Sequence, residues 1–241
     1  METAHLTELK DLESTYWWHV AKRSLATSLL SQYTTPSARI VEGGIGAGGN
    51  LRFWQSQGFE VHGLDIMPES VAYARQCGLE NVHQHDLHDP WPVPAQSAEA
   101  VVLLDVLEHV RDPVKALQNA AQTLVENGSI IFTVPAHPWL FSEWDERLGH
   151  FRRYTQSMIR EQVEQAGLRI VELRPWNAIS LPIAVMLRTF RRVFPKHTGA
   201  EFPRVSQRLN RWLIQIQECE RHWSSRFTVP FGLSYVGVIS K

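Results

Sequence analysis

A chain of 241 residues, 44 % apolar and 20 % charged, can bury the core of one generous α/β domain, or of a core domain with a smaller cap. Its formal charge of -1 argues against a general nucleic-acid binder. Two cysteines, Cys77 and Cys219, give neither a disulfide framework nor a Cys-based zinc spacing, so a reducing, cytoplasmic setting is the default and no metal is expected. The charged start METAHLTELKDLE does not read as a signal peptide, and the longest apolar run, 178–187, is roughly half of what a membrane span requires.

Residues 6 to about 31 place apolar positions at helical spacing, with an aromatic cluster at Tyr16, Trp17, Trp18 and His19 followed by Lys22 and Arg23. Such a helix either docks its aromatic face on the domain or forms a lid over a ligand. After a break at Pro36 and Ser37 comes RIVEGGIGAGGN, residues 39–50. It reads as a strand, a tight glycine turn and a helix start. Glycine there supplies positive φ and lets a ligand approach the backbone. Gly44, Gly46 and Gly49 fit the dinucleotide pattern G-x-G-x-x-G, with Asp65 placed for ribose hydroxyls. Glu42, Gly44, Gly46 and Gly48 equally fit E-x-G-x-G-x-G, so the turn alone leaves NAD and S-adenosylmethionine (SAM) both open.

The rest of the chain alternates strands and helices. A helix from Leu51 to Gln57 stops at Gly58, EVHGLD is a second strand, and Pro68 opens a helix that Gly78 ends. NVHQHD is a weaker third strand. AVVLLD, 100–105, is apolar throughout, as a central strand covered on both faces should be. Asp112 and Pro113 open a helix with Gly128 beyond its end, and SIIFTV is a fifth strand. Residues 135–155 show no periodicity and read as a long functional loop. Thr155 caps a further helix, LRIVELR is a sixth strand and SYVGVIS a seventh. Between the last two, Arg174 to Arg211 holds eight basic residues against the single acid Glu201, either a solvated face or a surface for a phosphate or anionic lipid head group. The helix Gln207–Trp223 within it is expected to face the core. Glu42, Asp65, Asp86 and Asp105 each end a strand and form one acidic rim, where open sheets of this type bind ligands.

The run EGGIGAGGN, GLD, HD, LLDVLEHVRDP and ENGSIIFTVPAH resembles the class I SAM-dependent methyltransferases of the small-molecule type 11 group, most specifically through LLDVLEHVRDP. The segments YWWHVAKR, GHFRRYT and PFGLSYVGVISK look like the same group. The resemblance implies a Rossmann-like, doubly wound, seven-stranded, mostly parallel sheet with helices on both faces and a helical or loop cap. It divides the chain into a helical lid at 1–35, a SAM-binding core at 36–174, a helical cap at 175–230 and a final core strand at 231–241. Glu42, Gly43, Gly44 and Gly46 would lie along the methionine of SAM, Asp65 on the ribose, and Ile66 on adenine. Asp86 and the Leu87 N–H would meet the adenine edge, and Asp105 the methionine ammonium. The family's usual V-G-C-G-T-G turn is altered here, with Gly43, Ile45 and Ala47 replacing its valine, cysteine and threonine.

A four-carboxylate rim suits the diol and ammonium of SAM better than a pyrophosphate. The expected reaction is methyl transfer, releasing S-adenosylhomocysteine, to a small or lipid-like acceptor, with oxygen, carbon and nitrogen all open. An NAD-dependent oxidoreductase and a silent SAM-binding protein are the alternatives. His150 is the foremost candidate base, with His137, His19 and Tyr154 beside it. His109, in the E-H block, reads as structural or adjacent to SAM. Tyr16, Trp18, Trp139, Arg152 and Arg153 are the expected acceptor-binding residues, and 188–211 a possible contact with an anionic membrane surface.

Overall fold

The computed structural model describes residue 10 and residues 12–193, 205–224 and 229–241. Its elements in chain order are α1 (Trp17–Tyr33), β1 (Arg39–Gly43), α2 (Gly49–Ser56), β2 (Glu60–Asp65), α3 (Pro68–Gln76), β3 (Val82–Gln84), β4 (Ala98–Leu104), a 3₁₀ turn (Leu107–His109), α4 (Pro113–Thr123) and β5 (Leu124–Pro135). There follow a second 3₁₀ turn (Pro138–Leu140), α5 (Glu143–Arg147), α6 (Gln156–Gln165), β6 (Arg169–Trp176), α7 (Ser180–Val193), α8 (Gln207–Ser224) and β7 (Ser234–Ser240).

The seven strands form one sheet in the order β3-β2-β1-β4-β5-β7-β6. All neighbouring pairs are parallel except those of β7, which runs antiparallel to both β5 and β6. The order reverses between β1 and β4, the switch point at which ligands settle outside the strand ends. Strand β4 has a core on each face. Val101 and Leu103 pack with Leu117 and Ala120 of α4 and Ile159 of α6, while Ala100, Val102 and Leu104 pack with Leu25 and Leu29 of α1 and Leu51 and Trp54 of α2. Each such buried Val or Leu contributes about 1.5–3 kcal/mol, which fixes the strand whose end carries Asp105.

Local signals set the helix starts. The Asp112 side chain accepts from the Lys115 N–H ahead of Pro113, and the Thr155 hydroxyl accepts from the Met158 N–H. Helix α1 has no side-chain cap of its own. Asn210 of α8 supplies one, its Oδ1 accepting from the Trp17 N–H at 2.8 Å while its Nδ2 donates to the Thr15 carbonyl. Trp18 lies against Trp176 at 5.4 Å between ring centroids, and the Trp54 indole N–H donates to Thr27.

Three expectations need correction. The N-terminal helix is interrupted: residues 10 and 12 are helical, a turn follows in which the Thr15 and Tyr16 N–H groups both donate to the Leu12 carbonyl, and α1 starts at Trp17; residues 1–9 and 11 lie outside the described residues. The 135–155 loop holds the short helix α5, because Ser142 and Asp145 form a capping box. Helix α8 is not core-facing. Trp212 and Trp223 are 65 % and 70 % exposed, and its buried residues are Gln217, Glu220 and Ser224. That polar face is bonded to the entry of α7: Glu220 accepts from the Ala178 and Ile179 N–H groups, and Gln217 Nε2 donates to Asn177 Oδ1 while Gln217 Oε1 is left without a partner.

Candidate functional site

The glycine turn leaves β1 through Gly44, Gly46 and Gly48, all at positive φ. Gly44 is required twice over, since a Cβ there would also come within 2.7 Å of Val106 Cγ2. Ile45 and Ala47, which depart from the family turn, are buried apolar residues that anchor it from beneath. At the strand end, Glu42 is buried, with Oε1 accepting from Asn50 Nδ2 at 2.8 Å and Oε2 without a partner. Burial pushes its carboxyl well above the usual range, outweighing the Asn50 bond, and the Glu13 and Asp65 carboxylates push the same way. Asp65 accepts from the N–H groups of Gly46 and Met67, which ties the second strand end to the turn.

Two contacts were not legible in the sequence. Glu13 accepts from the N–H groups of Ala47 and Gly49 at 2.8 and 2.7 Å, placing a carboxylate on the N-terminus of α2. Lys22 of α1 pairs with Asp105 Oδ2 at 2.8 Å. Asp105 also accepts from the Thr133 hydroxyl, and although burial raises its pKa, Lys22 and Thr133 bring it below the ordinary value. The N-terminal segment therefore reaches both the glycine turn and the acidic rim.

Below α1 lies a cavity of about 540 Å³. Glu42, Gly44, Gly46 and Asp105, expected along the methionine of SAM, line it, as do Tyr16, Trp18, His19, His150 and Arg153 from the sequence reading. Its outer wall comes from α7 and α8, including Ile183 and Leu213. His150 is brought in by a staple: the Phe151 N–H donates to the Glu108 carbonyl at 2.8 Å, pulling the loop onto the turn after β4. The rings of His109 and His150 then meet edge-to-face at 4.6 Å. Burial, and next the neighbouring His150, hold His109 down to about 4, so it is neutral at physiological pH.

Behind His150 sits Asp145, fully buried, accepting from Arg153 Nε at 2.7 Å and from Arg188 Nη1 at 2.8 Å, with His150 Nδ1 at 3.3 Å. Burial alone would raise this carboxyl, but the His150 and Arg153 contacts and the Arg188 charge hold it well below its usual range. Arg188 also donates to the Leu140 carbonyl, which ties α7 to the loop.

Other expected residues are placed elsewhere. Tyr154 is not a catalytic group, because it is buried with its hydroxyl donating to the Leu107 carbonyl. His137 Nε2 lies 2.9 Å from the Gly232 carbonyl, Trp139 is 58 % exposed, and Arg152 donates to the Arg111 carbonyl; these three are likewise off the cavity lining. Gly43, Asp65, Ile66, Asp86 and Leu87 also fall outside that lining. Ile66 is 59 % exposed at the end of β2, and exposed Asp86 pairs with His88 Nδ1 at 2.8 Å. Of the basic residues expected to meet a membrane, Arg188 turns inward to Asp145, while Arg208 and Arg211 are exposed. Lys196 and Arg204 lie outside the described residues, as do the side chains of Arg191 and Arg192. Among the described residues no helix is long and apolar enough to cross a membrane.

Glu42 Oε2 is a buried acceptor without a partner beside the turn, and Asp105, already paired with Lys22, lies on the same cavity lining. The methyltransferase domain family matches residues 17–173, from the first turn of α1 into β6, and the chain belongs to that family. With that family match and this fold, the chain is a class I, SAM-dependent methyltransferase, and the dehydrogenase alternative falls away. A Xanthomonas campestris pv. campestris protein named ubiquinone biosynthesis O-methyltransferase is 26 % identical over 145 residues, which cover 54 % of this chain and 61 % of that one. The match thus spans less than two thirds of that relative's length. In fold, the chain is similar to an Archaeoglobus fulgidus SAM-dependent methyltransferase over the full length of both, at a TM-score of 0.62 and 17 % identity. It also matches a structure of the Haloferax volcanii Trm112 methyltransferase activator in complex with a methyltransferase, covering 98 % of this chain and 94 % of that one, at a TM-score of 0.64 and 21 % identity.

Proposed function

We propose that the chain methylates an oxygen of a small or lipid-like organic acceptor held in the 540 Å³ cavity between the glycine turn, α1 and α7–α8. SAM supplies an activated methyl group on a sulfonium. The protein's share is then to hold donor and acceptor in line, an orientation effect of roughly 7–11 kcal/mol. Glu42, Asp105 and the backbone at Gly43, Gly44 and Gly46 would hold the methionine end. Asp65, Ile66, Asp86 and the Leu87 N–H would hold the adenosine.

The observation that carries the oxygen reading is His150, facing the cavity beside His109 with Asp145 at 3.3 Å behind it. A histidine backed by a carboxylate can take the proton of a hydroxyl or phenol as it becomes a nucleophile, contributing about 10²- to 10⁴-fold. The name of the Xanthomonas relative supports oxygen as the acceptor atom. The aromatic wall of Tyr16 and Trp18, with Leu209 and Leu213 of α8, favours an apolar acceptor, and Arg153 on the same lining is committed to Asp145.

Calorimetric titration with SAM, S-adenosylhomocysteine and NAD, followed by turnover of labelled SAM against a panel of phenols and hydroxy-lipids, tests the reading. Binding of the two SAM-derived ligands without NAD, and turnover that falls about 10²-fold or more in His150→Ala at unchanged S-adenosylhomocysteine affinity, is the expected result. Unchanged turnover in His150→Ala would remove the base role. Cofactor binding with no transfer across the panel would favour a silent SAM-binding protein.

A further inference from the structure

Glu108, His109 and His150 form a cluster that donor binding does not use. Glu108 and His109 come from the 3₁₀ turn after β4 and His150 from the loop after α5, and their ligating atoms all lie within 4.8 Å of one another. All three line the cavity. Glu108 is fully buried, and neither carboxylate oxygen is hydrogen-bonded by another residue. A carboxylate withdrawn from water without a partner is costly. The cations of the cavity are committed elsewhere, Lys22 to Asp105 and both Arg153 and Arg188 to Asp145.

One carboxylate and two imidazoles are a ligand set suited to divalent transition metals. Bonds of about 2.0–2.2 Å at near-tetrahedral angles place donors roughly 3.3–3.6 Å apart, so from separations within 4.8 Å the three side chains would need to close by up to about 1–1.5 Å, a rotamer-scale adjustment. Its surroundings already hold the ligands. His150 Nδ1 lies 3.3 Å from Asp145 Oδ1, close enough to orient the ring though not hydrogen-bonded to it, and the Gly149 backbone holds His109.

We propose that Glu108, His109 and His150 hold a divalent transition-metal ion, of the zinc or manganese class, in the wall of the acceptor cavity. Three protein ligands leave open positions toward the cavity, where a phenol or enol would bind as its anion with the proton passing to solvent. His150 would then serve the acceptor's ionisation through the ion rather than by taking the proton itself. The use of the ion in methyl transfer rests on the reading above, whereas its binding does not.

The test uses the full chain, stripped with a chelator and titrated calorimetrically with Zn²⁺, Mn²⁺, Co²⁺ and Mg²⁺, with Co²⁺ also followed by visible absorption. The expected result is one equivalent of Zn²⁺, Mn²⁺ or Co²⁺, with Co²⁺ bands of a low-coordinate site. Affinity should fall at least tenfold in His150→Ala and in Glu108→Gln, with circular dichroism unchanged. Should Glu108→Gln not fold, His150→Ala decides alone. Saturable binding of none of the four ions, or equal affinity in the variants, overturns the site. S-adenosylhomocysteine titrated into the same stripped protein separates the two readings: ion binding without it keeps the metal site and removes the methyltransferase reading, and the converse does the reverse.

Discussion

Glu42 shows what a single buried acid costs and what it is for. Its native carboxyl holds a proton to higher pH than the unfolded chain, where the same group titrates near 4.5. Above that value the native state binds more protons, so this group's contribution to stability falls as pH rises toward the native pKa. Glu42→Gln removes that slope. Melting curves between pH 4 and 8 should be flatter in the variant and higher at neutral pH, while its S-adenosylhomocysteine affinity drops about tenfold, or about 1.4 kcal/mol. Parallel profiles in the two proteins would mean that Glu42 does not hold this proton. Tyr154 makes the opposite case. Its hydroxyl serves the Leu107 carbonyl, so Tyr154→Phe should cost about 1–2 kcal/mol in urea unfolding and leave turnover unchanged. Glu42 and Gly44 were legible because a strand end and a tight turn are local patterns. Tyr154 and His137 were not, because whether a loop residue faces a cavity depends on where the chain returns. Glu13 gave no signal, since its partners are backbone N–H groups more than thirty positions away.

Among the elements, the glycine turn and the 135–155 loop carry the site, and each has a point at which it breaks. Gly44→Ala meets both the φ of 72° and the Val106 contact at 2.7 Å. It should lower stability by about 1–3 kcal/mol and abolish cofactor binding. In the loop, Asp145 pairs with two arginines, and Asp145→Ala would leave both cations without their buried carboxylate. A loss of about 3–5 kcal/mol is expected, read as a lower urea midpoint at unchanged m. Less than about 1 kcal/mol would mean that water reaches the cluster. The pair Ser142 and Asp145 is a capping signal visible in sequence, yet its helix spans only five residues and shows no period. Helix α8 was misread for a related reason. Its apolar residues recur at helical spacing, but that spacing says only that they share a face, and here the face borders the cavity through Leu209 and Leu213 and leaves Trp212 exposed, while Gln217 and Glu220 make the buried contacts.

At the scale of the molecule, alternating strands and helices give the parallel half of the sheet, because right-handed crossovers leave few orders to choose from. The reversed β7 rests on pairing with β5 and β6, and no local pattern announces it. The least local feature is how the N-terminal segment closes the site. Glu13 holds the turn, Lys22 holds Asp105, and Asn210 caps α1 from α8, so three contacts from separate parts of the chain fasten one wall of the cavity. If a donor reaches Glu42 and Asp105 through that wall, opening it costs what these contacts are worth. A charge-assisted pair of this kind contributes about 1.5–3 kcal/mol, so Lys22→Met should raise amide exchange across residues 13–22 about 10- to 100-fold, with β4 and β5 unchanged. S-adenosylhomocysteine should slow exchange in the same segment of the wild-type protein. If neither the substitution nor the ligand moves it, α1 is a fixed wall, and entry must run instead between α7 and the loop that Arg188 fastens to Asp145.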